Sequence, residues 1–199
     1  MKNNKMIAMM LTMSMLAAAF AGCLGGDDED DTPDWSISMA SDVSADFVES
    51  AWDPIIPNLN AGDMCDAIIS AMTKTDEREQ AVDFTRAYYT SSQGVIGGSG
   101  AASISEVADL NVAGTTIGVQ SGTTSDLYAQ DNLGAATISA YDDFPSVIAA
   151  LNNGDVHYAM GDAPVLSLEG TLMVTFSDEN FGMAVQGDSS GELLGALNM

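Results

Sequence analysis

Apolar positions along the chain fall in short runs separated by polar turns, and the runs switch between two periods. Brief continuous or alternating apolar runs predict strands over residues 36–40, 46–49, 66–70, 93–97, 115–120, 136–140, 156–160, 172–176 and 182–186. Spacings of three and four predict helices over residues 53–60, 105–110, 125–130, 143–152 and 192–199. Local signals agree with these ends. Pro54 suits a first helical turn, and Gly62 stops that helix. Thr75-Asp76-Glu77-Arg78-Glu79-Gln80 opens like a capped helix with Thr75 as cap and Arg78 one turn on, Asn153-Gly154 closes the helix before it, and Asp162-Ala163-Pro164 starts another. Helices and strands alternate with no internal repeat, which predicts an α/β architecture. A flexible Gly-Gly-Ser-Gly-Ala-Ala stretch from Gly97 to Ala102 divides the pattern into two units.

The N-terminus carries a different pattern. Lys2 and Lys5 precede an apolar run from Met6 to Ala21, followed by Gly22-Cys23. A basic start, a short apolar core and small residues at its end predict an export leader over residues 1–22. The run is shorter than the roughly 20 residues of a spanning helix. Phe20-Ala21-Gly22-Cys23 resembles the lipobox of prokaryotic lipoproteins, which implies cleavage before Cys23 and a lipid on its sulfur. Residues 23–34 then hold Asp27-Asp28-Glu29-Asp30-Asp31 and Asp34. Such a block of like charge stays solvated and reads as a tether between lipid and domain. It lacks the spaced ligands and turn glycine of a calcium loop.

Charge narrows the choice of partner. The chain has 29 acidic and 5 basic residues, a net charge of −24, and beyond the leader its cations are Lys74, Arg78 and Arg86. That field repels a phosphate backbone and excludes nucleic acid. With 46% apolar residues the remainder can build a core. With Cys23 lipidated, Cys65 stands alone and reads as a small buried apolar residue. His157 reads as structural, and a single histidine cannot build a histidine-based zinc site. Nothing in the chain calls for a metal or a cofactor.

Three groups carry chemistry. Ser70-Ala71-Met72-Thr73 ends a predicted strand, and Arg78 follows five residues after Thr73. Hydroxyl and backbone donors with a guanidinium can clamp a carboxylate in a bidentate geometry that lysine cannot copy. Ser121-Gly122-Thr123-Thr124 joins a strand to a helix, where unpaired N–H groups attract an anion. Gly161-Asp162 ends an apolar strand, where a carboxylate can accept from an ammonium. Together they suit an amino acid zwitterion.

The chain resembles the extracellular solute-binding proteins of family 3, the polar amino-acid binders of ABC importers. The resemblance runs from about Phe47 to the C-terminus. Its most specific part is Thr73-Lys74-Thr75-Asp76-Glu77-Arg78 with Asp83-Phe84-Thr85-Arg86-Ala87-Tyr88-Tyr89. Trp52-Asp53-Pro54-Ile55-Ile56-Pro57, Gly118-Val119-Gln120-Ser121-Gly122-Thr123-Thr124, Ala150-Leu151-Asn152-Asn153-Gly154 and Gly161-Asp162 extend it.

The resemblance implies a periplasmic-binding-protein-like fold: two α/β lobes joined by two crossing strands, with a ligand in the cleft between them. Lobe 1 would comprise residues 35–97 and 177–199, and lobe 2 residues 98–176. Arg78 and the Thr124 amide would hold the ligand carboxylate. The Ala71 carbonyl, the Thr73 hydroxyl and Asp162 would hold its ammonium, with Gln120 or Ser121 and Gly122 near the cleft floor. Only residues 34–50 precede the Trp52 segment after the tether, too few for the family's first strand, loop and long helix. Lobe 1 therefore reads as incomplete, and the chain stops inside its last helix. Trp35 and Trp52 are candidates for the ligand-stacking aromatic by elimination. The implied partner is an ABC permease at the outer face of the cytoplasmic membrane, reached through the lipid on Cys23. Two other readings stay open: a sensory or interaction module on the same fold, and an enzyme resembling cyclohexadienyl dehydratase.

Overall fold

The structure is a computed structural model that describes residues 5–10, 44–62, 64–187 and 191–198. Cys23, the acidic tether, Trp35, the predicted strand at 36–40 and Asp188 lie outside the described residues. The described chain forms two five-stranded sheets. In order come β1 (Lys5–Met10), β2 (Ser44–Glu49), α1 (Ile55–Ala61), β3 (Ala67–Ile68), β4 (Val82–Phe84) and β5 (Tyr89–Gly97). Then follow β6 (Thr116–Gln120), α2 (Thr124–Asn132), β7 (Thr137–Tyr141), α3 (Phe144–Asn153), β8 (Tyr158–Asp162) and α4 (Ala163–Glu169). β9 (Leu172–Phe181), β10 (Ala184–Gln186) and α5 (Gly191–Leu197) close the chain. Short 3-10 turns cover Arg78–Gln80 and Val107–Leu110.

The first sheet has the order β2-β1-β3-β10-β4, parallel from β2 to β3 and antiparallel at β10. Its core gathers Trp52, Ile55, Leu59, Cys65, Ile68, Met72, Val82 and Ala184. Cys65 is thus a core residue, as its surroundings in sequence suggest, and burial pushes its thiol up to about 11, with Asp66 adding to the effect. α1 stops at Gly62, whose φ of 72° is a left-handed cap that glycine adopts without strain.

The second sheet has the order β7-β6-β8-β5-β9. Both of its faces are covered, which explains its continuous apolar runs. On one face Val95, Ile117, Val119, Tyr158 and Met160 pack against Ala129 of α2 and Leu133 just after it. On the other, Ile96 and Ala159 pack against Val147, Ile148 and Leu151 of α3 and Leu166 of α4. His157 accepts from the Thr116 amide at 3.1 Å through Nδ1 and stitches the start of β6, a structural role.

Several elements differ from the pattern in the sequence. β4 and the first half of β5 are absent from that pattern, because their residues are polar or exposed and they are held by ladder partners. The predicted strand at 66–70 shrinks to two residues, because Ala71 turns into a left-handed conformation at φ 48°. The sheets also bear on where the lobes divide. Residues 89–97 read as lobe 1 and residue 176 as the end of lobe 2, yet β5 and the whole of β9 lie side by side in the second sheet. Hydrogen-bond pairing on both edges of β5 decides its sheet, and the glycines at its end do not. Lys5–Met10, part of the expected leader, takes the place between β2 and β3. A short apolar run satisfies a parallel strand as well as a leader core.

Gly94 sits where α4 crosses β5. A Cβ built there would lie 2.8 Å from Leu172 Cδ2, 3.1 Å from Ala163 Cβ and 3.2 Å from Ala163 Cα. Backbone on that side cannot give way, so Gly94→Val is expected to lower unfolding stability by about 1–3 kcal/mol in chemical denaturation. An unchanged midpoint and slope would show that α4 does not press on β5.

Candidate functional site

The cleft is built where the two sheets meet at their connecting strands. On the lobe 1 side, the chain leaves β3 through Ser70, Ala71, Met72 and Thr73. Thr73 bridges antiparallel to Phe181, the Lys74 amide donates to the Asn180 carbonyl at 2.9 Å, and the Gly182 amide donates to the Met72 carbonyl at 3.1 Å. These bonds pin the loop against the end of β9. Ala71 holds its positive φ while its amide donates to the Tyr88 hydroxyl at 3.0 Å. A non-glycine residue in this region stores strain, a recurrent property of binding loops. Burial pushes the Tyr88 hydroxyl up to about 12, with Asp162 adding to it and the Ala71 bond opposing it.

Arg78 emerges from a turn capped by Thr75, whose Oγ1 accepts from the Arg78 amide at 3.2 Å. Its guanidinium donates to the Thr73 carbonyl at 2.8 Å and to the Gly122 carbonyl of lobe 2 at 3.4 Å. It also stands 5.1 Å from the centre of the Trp52 ring, within cation–π range. No carboxylate lies within ion-pair distance of it among the described residues. Burial lowers its pKa, while Glu179, then Asp162, then Glu77 pull it back up.

On the lobe 2 side, Asp162 ends β8. Its Oδ1 accepts from Gln93 Nε2 of β5 at 2.7 Å. Gln93, 1% exposed, also donates to Thr124 Oγ1 at 3.2 Å and accepts from the Ser125 hydroxyl. Burial pushes the Asp162 carboxyl up to about 6; the Gln93 bond lowers it, Glu179 raises it and Arg78 lowers it. α2 begins above this network. Thr123 caps it by accepting from the Asp126 amide at 3.3 Å.

The predicted residues therefore separate into two groups. Ala71, Thr73, Arg78, Thr124 and Asp162 are brought together across the cleft, and Gly122 closes against Trp52 and Asp53. A Cβ on Gly122 would stand 3.2 Å from Asp53 Oδ1 and 3.6 Å from Trp52 Nε1. The expectation that Gly122-Thr123-Thr124 offers free amides is only partly met. The Gly122 amide donates to Asp126 Oδ2 at 3.0 Å, so the helix's own carboxylate uses it. The Thr124 amide has no acceptor among the described residues. Ser121 is partly buried and serves the sheet, its amide donating to the Tyr141 carbonyl at 2.8 Å. Trp52, 8% exposed, belongs to the lobe 1 core while lying beside Arg78.

Three cleft residues are missing from the candidate set drawn from the sequence: Gln93, Tyr88 and Glu179. Gln93 follows Thr90, Ser91 and Ser92 in the polar half of β5, where nothing in the sequence marks it as buried. Ser70 and Glu179 are each 5% exposed, and Ser70 Oγ and Glu179 Oε2 are buried without a hydrogen-bond partner. Buried polar atoms are rarely left so. Of the acids that sequence leaves unplaced, Asp143 caps α3 by accepting from the Ser146 amide at 2.7 Å, and Asp142 is exposed.

Residues 36–154 match the model of the bacterial extracellular solute-binding proteins, family 3. The probable histidine-binding protein of Neisseria gonorrhoeae is 30% identical over 163 residues, which is 76% of this chain and 60% of that protein. ABC transporter arginine-binding protein 1 of Escherichia coli (strain K12) is 35% identical over 121 residues, 61% of this chain and 48% of that protein. The chain thus spans about half to three fifths of the length of these curated relatives. Among solved structures, an ancestral amino acid-binding protein described as a precursor of cyclohexadienyl dehydratase superposes with a TM-score of 0.79 at 26% identity, covering 99% of this chain and 88% of that one. An ancestral arginine-binding protein bound to glutamine shares the fold at a TM-score of 0.76 and 24% identity, covering 98% and 89%. The family model covers more than half of the chain, and the chain belongs to the bacterial extracellular solute-binding proteins of family 3.

Proposed function

We propose that the protein captures a small polar solute, an amino acid, between its lobes and delivers it to an ABC permease. One observation carries this reading. A half-buried guanidinium and a half-buried carboxylate, Arg78 and Asp162, face one cleft from different lobes without pairing to each other. A zwitterion supplies the missing partner of each. Its carboxylate would take Arg78 and the Thr124 amide; its ammonium would take Asp162, the Thr73 hydroxyl and the Ala71 carbonyl. Serving residues of both lobes at once, it would favour the closed form, which is how a hinged binder signals occupancy. The names of the histidine- and arginine-binding relatives support an amino acid as the solute.

Export follows from the same reading. A leader over residues 1–22 and a lipid on Cys23 would hold the protein at the outer face of the cytoplasmic membrane, with residues 23–34 as the tether. A cut before Cys23 removes Lys5–Met10 from the first sheet, so the leader and strand β1 are alternative fates of one segment.

Isothermal titration with the common amino acids tests the proposal: heat is expected with at least one, and none from folded protein with any of them would overturn it. Arg78→Ala is expected to cost about 2–5 kcal/mol of affinity, because the ligand carboxylate then lacks its buried partner. A loss below about 0.5 kcal/mol would place the ligand elsewhere. Affinity should also depend on pH with a defined sign. In the free protein Asp162 protonates at about 6, and an ammonium ligand needs it ionised. Binding is therefore full above that pH and weakens as pH falls through it, by up to about tenfold per unit. A flat profile between pH 7.5 and 5 would remove Asp162 from the ammonium site.

A further inference from the structure

We propose that Glu179 is a second carboxylate of the cleft, placed there by a one-residue bulge in β9, and that it selects an amino acid with a cationic side chain. The inference rests on the amino-acid reading above and names the ligand class of that same site.

The register of the two crossing strands carries it. From Val95↔Val174 to Gln93↔Phe176, β5 and β9 pair in one frame; from Ser91↔Glu179 to Tyr89↔Phe181 they pair in another, shifted by one residue. The extra residue is in β9, and Ser177 within the shifted segment adopts a left-handed φ of 53°. Such a bulge bends a strand and re-aims the side chains beyond it. In the unshifted frame Ser91 would face Asp178, and Glu179 would project from the other side. With the shift, Glu179 shares a face with Ser91, because residues directly opposite in an antiparallel pair do so. Ser91 in turn shares that face with Gln93, two residues on, and with Asp162, the partner of Gln93 on β8. Glu179 and Asp162 thus flank β5 on its two sides, on the face that carries the start of α2. Two strand spacings across and two residues along separate their backbones, roughly 12 Å.

The surroundings of Glu179 point to a ligand. The side chain is 5% exposed; Oε1 accepts from the Ser177 hydroxyl at 2.9 Å, and Oε2 has no partner. The bulge residue therefore both aims the carboxylate and holds one oxygen, leaving the other open. Among the charged groups acting on Arg78, Glu179 is the strongest, so the three charges share one field. Once a zwitterion has neutralised Arg78 and Asp162, one buried negative charge remains. A buried unpaired carboxylate is costly, and a ligand that brings a second cation removes that cost. A neutral side chain leaves the cost in place, and an anionic one adds to it.

Calorimetry of the whole chain with L-arginine, L-lysine, L-citrulline, L-glutamine and L-glutamate tests this. Citrulline keeps the shape of arginine without its charge, so the comparison needs no variant. Arginine or lysine is expected to bind at least tenfold more tightly than citrulline and glutamine, with glutamate weakest. Glu179→Gln, checked for folding by its thermal melt, is expected to bring arginine and citrulline within about threefold of each other. Citrulline binding as tightly as arginine would overturn the proposal, as would a charge preference that survives in Glu179→Gln. Either result leaves the amino-acid reading intact, whereas absence of binding by every amino acid removes both.

Discussion

The pairing of β5 with β9 is the interaction on which the rest depends. These two strands lie together at the edge of the second sheet, and their far ends pass into the first: Tyr88 donates to the Phe181 carbonyl at 2.9 Å, and Thr73 bridges to Phe181. Tyr89 stacks on Phe181 at 5.9 Å between ring centres and reinforces the crossing. Every cleft group is positioned relative to this pair. Gln93 stands on β5 and holds Asp162; the loop that presents Arg78 is fastened to the end of β9. In the proposed function, a hinge that carries ligand groups would couple binding to lobe geometry directly.

Electrostatics explains why so acidic a chain can hold an anionic group at all. Its three cations outside the N-terminal segment have separate tasks. Lys74 reaches Glu79 at 3.9 Å on the surface, and the Arg86 amide donates to Asn198 Oδ1 at 2.7 Å while its guanidinium binds the Asn198 carbonyl. Arg78 alone is walled in, with a carbonyl from each lobe and the Trp52 ring around it. Burial removes the screening that weakens surface charges, so one guanidinium can outweigh a distant negative field. The same burial raises the Asp162 carboxyl, so in the proposed function local directed bonds, not net charge, would set the affinity.

Much of lobe 2 was legible in the sequence because its sheet is covered on both faces. Apolar runs such as Ile117 to Val119 and the Asp143 to Gly154 helix with its cap and glycine stop are encoded locally. Lobe 1 was less legible. β3 is two residues long and β4 three, and such elements exist only because neighbouring strands supply their hydrogen bonds. Arg78, Asp162 and Thr124 stood out because few residue types can clamp a zwitterion. Gln93 and Glu179 did not, since an amide or an acid in a strand reads as surface until its burial is known.

The sequence by itself determined the α/β alternation, the caps and stops of the longer helices, and the residue types able to bind opposite charges. These follow from periodicity and side-chain chemistry within a few residues. Only the tertiary structure decided which sheet owns β5 and that Asp126 takes the Gly122 amide. Only the pairing with β5 shifts β9 by one residue at Ser177 and brings Glu179, not Asp178, to the cleft face. The physical reason is that side chains alternate along a strand, so a single-residue change in register reverses the face they occupy.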